Sequence, residues 1–124
     1  MKKKKILIAD DDTLIHDIIS TVLSADEYEI IHAYNGLETL ERVDSELPDL
    51  VVLDIMMPFK DGRDVCQDIR KNPKTADIKI LMLSARDNQS DRILGLEIGA
   101  DDYMIKPFSP YHLASKIKKM CNKE

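Results

Sequence analysis

Five side chains able to do chemistry stand at the ends of apolar runs. Asp10 and Asp11 follow Ile6-Leu7-Ile8-Ala9, Asp54 follows Leu50-Val51-Val52-Leu53, Ser84 follows the run from Ile78 to Leu83, and Lys106 follows Tyr103-Met104-Ile105. Three carboxylates brought to one place repel one another, so ionising all of them is costly unless a cation joins them. Mg2+ suits such a cluster, with Mn2+ as a substitute: it keeps several waters, takes one or two protein carboxylates and bridges to phosphoryl oxygens. With that ion in place, the remaining residues read as a phosphoryl-transfer site. Asp54 is then the nucleophile, its carboxylate attacking phosphorus to give an acyl phosphate. Lys106 offsets charge on the transferred oxygens and Ser84 donates a hydrogen bond to one of them. Each residue alone has a plainer use, as a cap or a solvated charge. The order of the set, always at strand ends, carries the reading.

The elements that must position these residues alternate strictly. Ile6–Ala9 is a short strand, and Leu14, Ile15, Ile18, Ile19, Val22 and Leu23 recur at helical spacing after it, with Asp12 or Thr13 placed to cap. Tyr28–Ala33 reads as a weaker strand at a sheet edge, and Asn35-Gly36 turns the chain into a helix over 37–46 that Pro48 closes. Leu50–Leu53 lacks alternation, the mark of a strand covered on both faces. Phe59-Lys60-Asp61-Gly62 has turn chemistry, and Val65, Cys66 and Ile69 give a helical face as far as Lys71. After the strand at 78–83 comes a helix over about 90–98, with Gly95 inside it and Gly99 as its terminator. Tyr103–Ile105 is a fifth strand, and Ser109 and Pro110 start a last helix reaching about Cys121. Five strands alternating with five helices predict a doubly wound parallel sheet with helices on both faces, whose strand ends form one rim where ligands bind.

With 124 residues, 44% apolar and 33% charged, the chain fits one soluble globular domain spanning 1–124. No apolar run approaches the roughly 20 residues needed to cross a bilayer, and no signal segment precedes the first strand, which predicts a cytoplasmic protein without membrane contact. Net charge is -5 and no basic stripe is interleaved with aromatics, which argues against direct nucleic-acid binding. The lysines at 2–5 read as a solvated end. Cys66 and Cys121 read as reduced packing residues, and His16, His32 and His112 show no ligand spacing.

At this point the chain resembles a response-regulator receiver domain, from about Lys4 to Met120. The resemblance rests on Ile6-Leu7-Ile8-Ala9-Asp10-Asp11-Asp12, Leu53-Asp54-Ile55-Met56-Met57-Pro58, Leu83-Ser84-Ala85 and Tyr103-Met104-Ile105-Lys106-Pro107-Phe108. It implies a flavodoxin-like sheet of order 2-1-3-4-5, with Asp54 phosphorylated by a histidine kinase or a histidine phosphotransfer protein. It implies Mg2+ held by Asp11, Asp54 and the backbone carbonyl of Met56, with Asp10 acting through a water, and a cis bond between Lys106 and Pro107. It also implies a switch. Ser84 moves toward the phosphoryl group, Tyr103 turns inward, and the face made by the helix at 90–98, the strand at 103–105 and the last helix changes shape for a downstream effector domain or protein. Met56 and Arg86 hold the positions that tune the lifetime of the phosphoryl group, and neither orients water easily, which predicts a long-lived state. Leu14, Ile18, Pro107 and Phe108 are the candidates for docking the kinase.

The Met-Met-Pro form and the run Gly99-Ala100-Asp101-Asp102-Tyr103 look most like receivers attached to winged-helix regulators, whose output is transcription. His112 stands where those carry a glutamate that pairs with a basic residue such as Arg92. Asp101 or Asp102 with Lys116 remains as a pair across an interface, so the chain is expected as a monomer or a phosphorylation-dependent homodimer through that same face. Two other readings stay open. Haloacid-dehalogenase-type phosphatases share an apolar strand before Asp-x-Asp, matched by Asp10 and Asp12, although their lysine precedes the last acidic pair and Asp54 then has no role. A binding module of the same fold, switching by contact alone, is the other.

Overall fold

The computed structural model describes residues 2–85 and 99–122. Its strands are β1 (Lys4–Ala9), β2 (Tyr28–Ala33), β3 (Leu50–Asp54), β4 (Lys79–Ser84) and β5 (Asp102–Ile105), and its helices among the described residues are α1 (Thr13–Val22), α2 (Gly36–Glu46), α3 (Gly62–Lys71) and α4 (Pro110–Asn122). The five strands form one parallel sheet of order β2-β1-β3-β4-β5. The parallel sheet is the one expected from the alternation, and its flavodoxin-like order is the one the resemblance implies, with β2 at an edge. The helix predicted over 90–98, with Gly95, and residues Arg86 and Arg92 lie outside the described residues.

Side-chain alternation splits each strand between two cores. Ile6, Ile8, Leu50, Val52, Leu81, Leu83 and Met104 pack with Ile15 and Ile19 of α1 and Leu113 and Ile117 of α4. Leu7, Val51, Leu53, Ile80 and Met82 pack with Val43 of α2 and Val65, Cys66 and Ile69 of α3. Every residue of β3 is buried, as an unalternating apolar run requires. Cys66 and Cys121 are free thiols belonging to opposite faces, and burial pushes both up to about 11.

The helix ends follow from local chemistry. Asp12, rather than Thr13, caps α1 by accepting from the Leu14 N–H at 3.0 Å. Asn35 caps α2 by accepting from the Glu38 N–H at 2.8 Å, while Glu38 reaches back past the cap to accept the Tyr34 N–H at 2.7 Å. Two expectations are corrected here. The lysines are not simply a solvated end: Lys4 opens β1, and Lys5 donates to Glu46 at 3.4 Å. Lys116 does not wait for an interface either, since its ammonium meets Asp102 of the same chain at 2.8 Å, while Asp101 is held by Arg70 at 2.8 Å. Packing α4 against the β5 edge brings the first pair together.

The turn read over 59–62 runs straight into α3 at Gly62. Asp61 is the N-cap of α3, accepting from the Arg63 N–H at 2.7 Å, and Gly62 is already helical. A Cβ on Gly62 would lie 2.2 Å from the Asp54 carbonyl oxygen and 2.9 Å from the Ile55 Cα. Both obstacles are backbone and cannot rotate away. Gly62→Ala is therefore expected to destabilise the fold by about 2 kcal/mol, an overpacking cost of about 3 kcal/mol outweighing the gain of about 1 kcal/mol from helix propensity. Urea unfolding of the two proteins measures the difference, and an Ala variant as stable as the parent refutes this account of the glycine.

Candidate functional site

Strand periodicity already aims the key side chains. Asp10 continues the face of Ile6 and Ile8, Asp54 that of Leu50 and Val52, and Lys106 that of Met104, so all three extend the α1/α4 face beyond the strand ends. Asp10 is fully buried and Asp54 nearly so. Lys106 reaches over the end of β4 to place its ammonium 2.8 Å from Asp10 Oδ2 and 3.5 Å from Asp54 Oδ1. The Lys106–Pro107 peptide is cis, as expected, and the Lys106 N–H donates to the Ser84 carbonyl at 2.6 Å.

Burial first, and then the Asp10 carboxylate, push the Asp54 carboxyl up to about 6, against the opposing pull of Lys106 and of a backbone N–H from Met56. For Lys106, burial opposes the charge, but the hydrogen bond to Asp10 and the charges of Asp54 and Asp10 outweigh it and raise its pKa. Exposed Asp11 completes the cluster: one oxygen each from Asp10, Asp11 and Asp54 lie within 4.8 Å of one another. An octahedral Mg2+ with bonds of about 2.0–2.1 Å spaces its ligand oxygens about 3–4 Å apart, so small carboxylate movements bring this all-oxygen set onto it. Asp12, the second acid of the phosphatase pattern, is committed to capping α1.

Ser84 and Tyr103 share the opposite face. Ser84 continues Ile80 and Met82, while Tyr103 is paired with Met82 in register and packs, half-buried, against the α2/α3 core. This places the two residues of the expected switch on neighbouring strands of one face. Met56 is 66% exposed beside the site, and Arg86 lies outside the described residues. Of the docking candidates, Leu14 and Pro107 are exposed, Ile18 is half-buried, and Phe108 packs against the α1/α4 core.

Two features of the rim carry no motif in the sequence. Phe59 sits in the left-handed region at φ 69 and is 81% exposed; a lone aromatic in a turn gives no sign of that. His16 and His32 meet. Their Nδ1 atoms are 2.7 Å apart, His16 Nε2 is 2.8 Å from the Asp10 carbonyl oxygen, and the His16 ring stacks on Tyr34 with centroids 4.3 Å apart. Burial, and then His16, hold His32 below the usual histidine range. The only hint in the sequence was a histidine amid the apolar stripe of α1.

The family model described as the response regulator receiver domain matches residues 6–118. The chain is 49% identical over 120 residues to the probable transcriptional regulator ycf27 of Porphyridium aerugineum, covering 97% of this chain and 49% of that protein. It is 44% identical over 115 residues to the alkaline phosphatase synthesis transcriptional regulatory protein PhoP of Bacillus subtilis, covering 93% and 47%. The chain thus spans about half the length of the curated relatives it matches. Among solved structures, the receiver domain of the Francisella response regulator 1452 superposes with a TM-score of 0.88 at 32% identity, covering 98% of each chain. The chemotaxis response regulator CheY4 of Vibrio cholerae superposes with a TM-score of 0.89 at 26% identity, covering 96% and 99%.

Proposed function

The chain belongs to the response regulator receiver family of two-component signalling, and from that premise we propose that Asp54 accepts a phosphoryl group from a histidine kinase or a histidine phosphotransfer protein. The observation that carries the reading is the Lys106 ammonium set between two buried carboxylates, with a third beside them. An Asp54 oxygen attacks phosphorus as the donor's P–N bond, or the P–O bond of acetyl phosphate, breaks and the leaving group departs with its electron pair. Even with its raised pKa, the carboxylate is ionised at neutral pH. Lys106 offsets charge on the transferred oxygens, and the Ser84 hydroxyl donates to one of them.

Asp10, Asp11 and Asp54, with the backbone carbonyl of Met56, are the groups to hold Mg2+, or Mn2+ in its place, Asp10 acting through a water. Bound there, the ion neutralises charge on the phosphoryl oxygens. Residues 1–124 act as one cytoplasmic receiver unit, not as an enzyme on other substrates. Ser84 and Tyr103, facing one core from adjacent strands, relay the change to the β5/α4 face. That face acts on an effector domain or protein, with transcription as the output in line with the curated relatives, either from a monomer or through a phosphorylation-dependent homodimer. Exposed Leu14 and Pro107, with the half-buried Ile18 and Phe108, receive the kinase.

Incubation with acetyl phosphate and Mg2+ should add one phosphoryl group to the intact mass, and EDTA should prevent it. No added mass in any condition would favour a module that switches by contact alone. The phosphorylated state is expected to be long-lived, because the exposed thioether of Met56 cannot orient an attacking water. Met56→Asn, which supplies an amide there, should shorten the lifetime several-fold when loss of phosphate is followed by mass. An unchanged lifetime removes Met56 as a tuning residue.

A further inference from the structure

Asp10 is held at every polar group. Its N–H donates to the Ala33 carbonyl at 3.2 Å, Oδ1 accepts the Asp12 N–H at 2.9 Å, and Oδ2 accepts from Lys106 at 2.8 Å. The remaining group is its backbone carbonyl, and there the partner is the buried His16 Nε2 at 2.8 Å. A carbonyl only accepts, so His16 Nε2 carries the proton. In the neutral pair this leaves a lone pair on His16 Nδ1, and the His32 Nδ1 at 2.7 Å must then donate to it. The tautomers of both rings are thereby set by one carbonyl. Stacking on Tyr34 at 4.3 Å and 27° fixes the plane of His16.

We propose that His16 is a positioning residue for the phosphoryl-transfer site, and that His32 orients it through a directional chain, His32 Nδ1–H to His16 Nδ1 and His16 Nε2–H to the Asp10 carbonyl. The chain locks the turn between β1 and α1 so that the adjacent carboxylates of Asp10 and Asp11 stand ready for the cation. This inference rests on the reading of Asp10, Asp11 and Asp54 given above. Partners that orient a metal-holding group from behind typically alter metal affinity on the order of 10- to 100-fold when removed.

Nitrogen-15 spectra of the imidazoles at neutral pH test the chain without reference to activity. His16 should be locked as the Nε2–H tautomer and His32 as the Nδ1–H tautomer; His32 in the Nε2–H form overturns the proposal. Calorimetric titration with Mg2+ alone then compares variants whose folding is checked by urea unfolding. His16→Phe keeps the ring on Tyr34 but has no donor, and should weaken Mg2+ binding and slow labelling by acetyl phosphate about tenfold. His16→Gln, whose amide nitrogen stands where Nε2 does, should restore both. His32→Phe, which leaves His16 stacked on Tyr34 but removes the donor to its Nδ1, should give an intermediate loss and serves as the measure if His16→Phe does not fold. A folded His16→Phe that binds Mg2+ like the parent, or a His16→Gln as impaired as His16→Phe, refutes the role. Failure of the parent protein itself to bind Mg2+ or take up phosphate refutes instead the reading of the acidic site.

Discussion

Asp54→Asn is expected to abolish labelling by acetyl phosphate and, in metal-free buffer at pH 7.5, to make the protein more stable by about 3 kcal/mol. The first effect follows from removing the nucleophile: an amide oxygen does not form the acyl phosphate. The second follows from the cost of burying a charge beside another of the same sign. The folded chain holds the Asp54 proton up to about pH 6, against an ordinary value of 3.8. Below about pH 4 the carboxyl is protonated whether folded or not, and the substitution changes little. Between there and pH 6 folding takes up a proton, so the parent loses stability as pH rises. Above that range the full difference, about two units at about 1.4 kcal/mol each, weighs on the parent alone. Urea unfolding of both proteins from pH 4 to 8 in EDTA should show a gap that opens with pH. Added Mg2+ should narrow it by stabilising the parent. A variant no more stable than the parent at pH 7.5 would mean that Asp54 carries no such burden.

Lys106→Gln should have the opposite sign. The ammonium is the cation that both buried carboxylates face, at 2.8 and 3.5 Å. Removing one partner of a buried ionic cluster leaves uncompensated charge, which costs about 3–5 kcal/mol. Some of this loss should return with Mg2+, which supplies positive charge to the same oxygens, while labelling by acetyl phosphate stays slow because Lys106 no longer reaches the transferred group. The two substitutions should not add. In an Asp54→Asn background only Asp10 is left without its partner, so Lys106→Gln should cost clearly less there than in the parent. Equal costs in the two backgrounds would show that Lys106 acts on Asp10 alone.

Gly62 belongs to the same rim. The approach of α3 to the Asp54 backbone, which leaves no room for a Cβ, makes the conformation of the acceptor segment depend on a residue eight positions further along the chain. A glycine after Phe59-Lys60-Asp61 reads as turn chemistry, since glycine is common in turns and only the packing of α3 on β3 reveals a steric reason for it.

Local periodicity is enough to read the alternation of strands and helices and to name the polar residues at the strand ends. Strand runs and helical stripes depend on local periodicity, and period-two alternation says which face each residue at a strand end must follow. The parallel order then brings Asp10 and Lys106, 96 residues apart, to one rim. What surrounds these residues depends on how the elements pack. His16 and His32 carry no motif, because their meeting depends on how α1 lies over the sheet, and a ring's partner is set by that packing rather than by spacing. Lys116 likewise found Asp102 within the chain once α4 was laid against β5. Periodicity fixes the direction in which a side chain leaves its element; which group it meets there is decided only when two elements close on each other.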